Sequence, residues 1–97
     1  MVENSVLSAG VRVEKGAYIR DSVIMSGVTV KSGALVNYSI IDSDATVGEG
    51  SVVGRTRSAS TGITVVSGGV TVPDGADVPA GVMATEQYLE HLGREDK

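Results

Sequence analysis

The chain has no cysteine, phenylalanine or tryptophan, and only two prolines and three tyrosines in 97 residues. Without cysteine there is no disulfide framework and no thiolate metal site. Without large aromatic rings, a packed interior has to be narrow and filled by Val, Ile, Leu and Ala. The single histidine, His91, excludes chemistry that needs several imidazoles. Basic residues are scarce too: eight Lys and Arg stand against twelve Asp and Glu, a net charge of −4. That balance argues against nucleic acid as a partner, since phosphate backbones are held by clustered cations. No apolar run approaches the ~20 residues that cross a membrane. No leader segment precedes the first repeat, so the expected location is cytoplasmic. The length suits one small domain.

What is plentiful is glycine, thirteen in all, together with short aliphatic residues, and both are strictly ordered. Residues 5–55 divide into three lines of seventeen: SVLSAGVRVEKGAYIRD, SVIMSGVTVKSGALVNY and SIIDSDATVGEGSVVGR. The columns agree almost throughout, as with Ser5, Ser22 and Ser39, or Gly16, Gly33 and Gly50. A fixed period of this kind is the mark of a repeat architecture.

Within each line the aliphatic residues recur every six positions: Leu7, Val13, Ile19; Ile24, Val30, Val36; Ile41, Val47, Val53. Four residues after each comes a small or branched, mostly apolar residue: Val11, Ala17, Val23; Val28, Ala34, Ile40; Ala45, Ser51; of these Ala17, Ala34 and Ser51 pair inward with Ile19, Val36 and Val53. The third hexad of each line is one residue short, which makes seventeen rather than eighteen. A helix would repeat at i, i+3, i+4, i+7 and would not carry glycine in every turn. The pattern fits a short strand and a corner, three times per coil. Coils stacked at the ~4.8 Å spacing of a sheet would turn the aliphatic columns into continuous interior rows. Glycine at the corners supplies positive φ at little cost.

Val2 lies seventeen before Ile19 and fits the same interior column, with Glu3 and Asn4 after it. The chain is therefore expected to begin inside a solenoid, as a piece of a longer protein. Outward positions are mostly charged or polar. One outward column, Tyr18, Leu35 and Val52, forms an apolar stripe expected to pack on another domain or subunit. The segment RTRSASTG over 55–62 breaks the period, and Thr64 resumes the column of Ser39 after twenty-five residues. Insertions in solenoids become loops on one side. Arg55 and Arg57 beside hydroxyl groups could hold a phosphate. TVVSGGVTVPDGADV then aligns as a fourth coil, with Val66, Val72 and Val78 in the aliphatic column. ATEQYLEHL over 84–92 changes to helical period. Thr85 is placed to cap it, Tyr88, Leu89 and Leu92 give an apolar face, and Gly93 is expected to end it. The domain plan is a β-helix over 2–83 with an insertion loop at 55–62, then a helix and tail over 84–97.

These hexads resemble the left-handed parallel β-helix family, so the expected fold is all-β, with about four coils and a short C-terminal capping helix. The handedness is what the resemblance implies. Such solenoids occur in acyltransferases, in γ-type carbonic anhydrases and at the C-termini of sugar nucleotidyltransferases. The first need a histidine base and the second three histidine ligands; His91 on the tail helix meets neither need. The seventeen-residue coil, the inserted loop and the GITVV segment after it are together similar to the C-terminal region of bacterial glucose-1-phosphate adenylyltransferase, over residues 2–83. That resemblance implies a non-catalytic regulatory and oligomerisation domain of the enzyme that makes ADP-glucose from ATP and glucose 1-phosphate for glycogen. It implies a partner catalytic domain absent from this chain, which would hold ATP and Mg²⁺, with no cofactor here. It implies a homo-oligomer. It also implies a sugar-phosphate effector contacting arginines of the loop, with Arg57, five before Gly62, and Arg55 as the matching positions. A hexapeptide acyltransferase and a stand-alone scaffold solenoid are the other readings.

Overall fold

In a computed structural model of the chain, residues 1–54 and 62–94 are described, with side chains through Glu90. The first coil holds β1 (Val2–Glu3), β2 (Val6–Leu7) and β3 (Arg12–Val13). The second holds β4 (Tyr18–Arg20), β5 (Val23–Ile24) and β6 (Thr29–Val30). The third holds β7 (Leu35–Asn37), β8 (Ser39–Ile41) and β9 (Thr46–Val47). The fourth holds β10 (Val52–Val53), β11 (Thr64–Val66) and β12 (Thr71–Val72), followed by β13 (Asp77–Val78), β14 (Met83–Ala84) and the helix α1 (Glu86–Arg94).

Each strand pairs in parallel with its equivalent one coil away, which builds three flat sheets around one interior. The first sheet runs β1-β4-β7-β10-β13, the second β2-β5-β8-β11-β14 and the third β3-β6-β9-β12. Register follows the seventeen-residue period, as in Val2↔Ile19 and Val23↔Ile40. After the insertion it returns at Thr64↔Ser39. The predicted aliphatic columns are the core: Ile19, Val36, Val53 and Val78 on one side, Ile24, Ile41 and Val66 on the next, and Val30, Val47 and Val72 on the third, all 0% exposed. Gly16, Gly33 and Gly50 take φ of 85°, 72° and 67° at one corner, as the glycine column implies.

The residues four after each aliphatic one do not all turn inward. Val23 is 40% exposed and Ile40 is half-buried on the outer surface, whereas Ser22, Ser39 and Thr64 are buried. The small inward residue always lies two before the next aliphatic one. In a full hexad that is four after the last, as with Ala17, but in the short hexad it is three. The missing residue thus turns Ser22 inward and Val23 outward.

At this tight corner the buried hydroxyls of Ser22 and Thr64 each both donate and accept. The Ser22 hydroxyl donates to the carbonyl of Arg20 (2.8 Å) and accepts the Ser39 N–H of the next coil (3.1 Å). Ser5 does the same one coil earlier, donating to Glu3 O and accepting the Ser22 N–H. Thr64 donates to Pro79 O and accepts the Gly81 N–H. The residue before each serine, Asn4, Asp21 and Tyr38, has φ near +50°, and the serine oxygen takes the amide that follows it. Ser22→Ala is expected to cost about 1–3 kcal/mol, because it leaves a buried N–H without a partner. Urea unfolding of the variant measures it.

At the far end α1 packs on β14 and β12. The Tyr88 N–H donates to Thr85 Oγ1 (3.2 Å), the N-cap bond that the sequence implies. Leu89 is 5% exposed and joins the core, with Tyr88 packed against it. The helix starts at Glu86 and includes Gly93, so glycine does not end it. At the other end the interior is open: Val2 and Leu7 are each 40% exposed.

Candidate functional site

A three-sided solenoid presents three outward faces, and their outward columns differ in chemistry. On the third sheet the column is Arg12, Thr29, Thr46 and Thr71, in register and polar throughout. On the first it is Tyr18, Leu35 and Val52, in register as predicted, half-buried, and continued by Asp77. The structure therefore brings the expected stripe together but ends it in an acidic residue.

A shallow groove beside that stripe is lined by Tyr18, Arg20, Leu35 and Asn37. The Tyr18 hydroxyl donates to Glu3 Oε1 (2.8 Å). Arg20 lies 3.8 Å from Asp21, with a half-exposed side chain. Asn37 Oδ1 is buried without a hydrogen-bond partner. Arg20 pairs in register with Asn37. Gly54 comes next in that column and is the residue from which the insertion departs. Arg20 is thus the described cation nearest in register to the root of the loop, which column reading from the sequence did not single out. Arg55 and Arg57 lie outside the described residues, and so does the His91 side chain.

The second sheet carries the longest apolar column, and sequence reasoning missed it. Val6, Val23, Ile40, Val65 and Met83 stand in register over five strands. Val6 and Met83 are 61% and 63% exposed. Met25 and Ile63 are exposed close by. Tyr38 shares a groove with Val6 and Val23. The signal was available in the short third hexad, which turns this column outward.

A third groove, between the fourth coil and α1, is lined by Gly68, Gly69, Val70, Thr71, Glu86, Leu89 and Glu90. Among the described residues no three of His, Cys, Asp and Glu come together so as to hold a metal ion. No described helix is long and apolar enough to cross a membrane.

A family model described as GlmU-like, C-terminal hexapeptide, matches residues 1–73. The chain belongs to this GlmU-like C-terminal hexapeptide family. The membership agrees with the stacked parallel coils and with the left-handed β-helix that the resemblance implies. Neither curated proteins nor solved structures gave a match. The outward columns of the three faces differ: one is polar, one is mixed and ends in Asp77, and one is apolar.

Proposed function

We propose that this hexapeptide domain is the regulatory and oligomerisation domain of a glucose-1-phosphate adenylyltransferase, and is itself non-catalytic. The parent enzyme would make ADP-glucose from ATP and glucose 1-phosphate in the cytoplasm, with Mg²⁺ and ATP held by a separate catalytic domain. The observation that carries this reading is the interruption of the solenoid. Eight extra residues enter after Gly54, and the coil resumes in register at Thr64↔Ser39 on the GITVV segment. The insertion therefore leaves the register of the described coils intact. It carries Arg55 and Arg57, and it follows Gly54, two rungs from Arg20 in the same column. Two arginines in sequence among the hydroxyls of Thr56, Ser58, Ser60 and Thr61 are suited to a sugar phosphate.

In the full-length enzyme, Arg57→Ala is expected to raise the sugar-phosphate concentration for half-activation by about tenfold, the loss of one charge-assisted hydrogen bond. Turnover without activator should be unchanged. Activation curves for wild type and variant check this, and superimposable curves contradict it. A rise in melting temperature on adding acetyl-CoA would instead favour a hexapeptide acyltransferase.

A further inference from the structure

We propose that the outer face of the second sheet is where two copies of this chain meet, sheet against sheet, along Val6, Val23, Ile40, Val65 and Met83. The inference rests on the assembly half of the proposed function and names its surface. The first argument is area. These side chains, with Met25, Ile63 and Tyr38, expose on the order of 600 Å² of largely apolar surface, at the top of what a monomer ordinarily shows and near the per-partner share of a stable interface. The second is pitch. Five rungs at ~4.8 Å span ~19 Å, and a second solenoid presents a row at the same spacing, so every rung can interdigitate. A helix repeats at ~5.4 Å per turn and falls about half a rung out of step over the same length. The chain itself supplies the matching surface.

The third argument is Tyr38. It holds φ of +51° at the short corner, where Asn4 and Asp21 stand in the neighbouring coils. Asn and Asp tolerate that region, whereas a bulky ring there is an outlier. Such strain persists where the side chain serves a purpose, and this ring lines the groove with Val6 and Val23 at the edge of the apolar row. Tyrosine is also favoured at the energetic centres of interfaces. The face carries Asp42, with Asp21 in the Tyr38 column at its edge, but no Lys or Arg, so nothing on it recruits an anionic partner.

The test is the molar mass of the 97-residue chain by light scattering after size exclusion, over a dilution series. Wild type is expected to be a dimer that dissociates on dilution. Val23→Glu, at a position already 40% exposed, should raise the dissociation constant at least about tenfold. Val6→Glu should do the same, and replaces Val23→Glu if that variant does not fold. Val52→Glu on the first sheet should leave the dimer intact. Tyr38→Asn should weaken the dimer, yet melt no lower than wild type at dilutions where both are monomeric. A monomer at every concentration overturns both this inference and the assembly reading. A dimer indifferent to Val23→Glu and Val6→Glu overturns the face alone. A trimer overturns the two-body pairing. A Tyr38→Asn variant that melts lower and dimerises normally overturns the role given to that ring.

Discussion

Ile41→Ala is expected to remove about 2–5 kcal/mol of stability, while Leu7→Ala, in the same column, removes about 1 kcal/mol or less. The two residues are stacked through Ile24 by the registers Leu7↔Ile24 and Ile24↔Ile41. They differ in position along the solenoid. Ile41 has a coil on either side and is 0% exposed, whereas Leu7 caps the open end at 40% exposure. Truncating Ile41 leaves a hole between two rungs held at fixed spacing by backbone hydrogen bonds, so neighbours cannot close it. A domain of this length has roughly 5–15 kcal/mol in total, so the loss can be half of it. Urea unfolding of both variants decides the matter; equal losses would mean that the interior is not a continuous column.

Gly54→Ala is the other large effect, expected at several kcal/mol. Gly54 has φ of +70°, and a methyl group there would lie 2.1 Å from the Asn37 carbonyl oxygen and 2.8 Å from Ser39 Oγ. The first of these is backbone and cannot swing aside, so the third and fourth coils would have to separate. The left-handed conformation alone costs alanine about 1–2 kcal/mol. Gly50→Ala isolates that term, because Gly50 has φ of +67° and nothing within 4 Å. Subtracting the Gly50→Ala loss from the Gly54→Ala loss gives the cost of the close approach. A difference near zero would contradict the contact between coils at the point where the loop leaves.

The interior was legible because it obeys one count. Aliphatic residues six apart, with a five-residue step once per coil, placed Ile19, Ile24, Val30 and their equivalents correctly. The outer surface was harder to read for the same reason. Counting four forward reaches an inward residue in two hexads of three, but in the short one it reaches the outward Val23 and Ile40. Counting two back from the next aliphatic residue works in all three, and it exposes the column from Val6 to Met83. The serine row was visible as a column, but its role was not. Only stacking shows that the Ser22 oxygen serves an amide one coil away. Helix α1 was found by its period and its Thr85 cap, yet Gly93 did not stop it. Of the candidate site, the Tyr18, Leu35 and Val52 register was readable in advance. Arg20 was not singled out, because its relation to the loop depends on which corner Gly54 occupies.

The most direct test of the regulatory-domain reading is the reading frame upstream of Met1 in the source gene. The account predicts an in-frame stretch of about 300 codons, two domains' worth of chain, with a Gly-rich nucleotide-binding loop near its start. An in-frame stop codon a short way upstream of Met1, with a ribosome-binding site between the two, would contradict it, and the solenoid would then have to be a binding or scaffold protein in its own right.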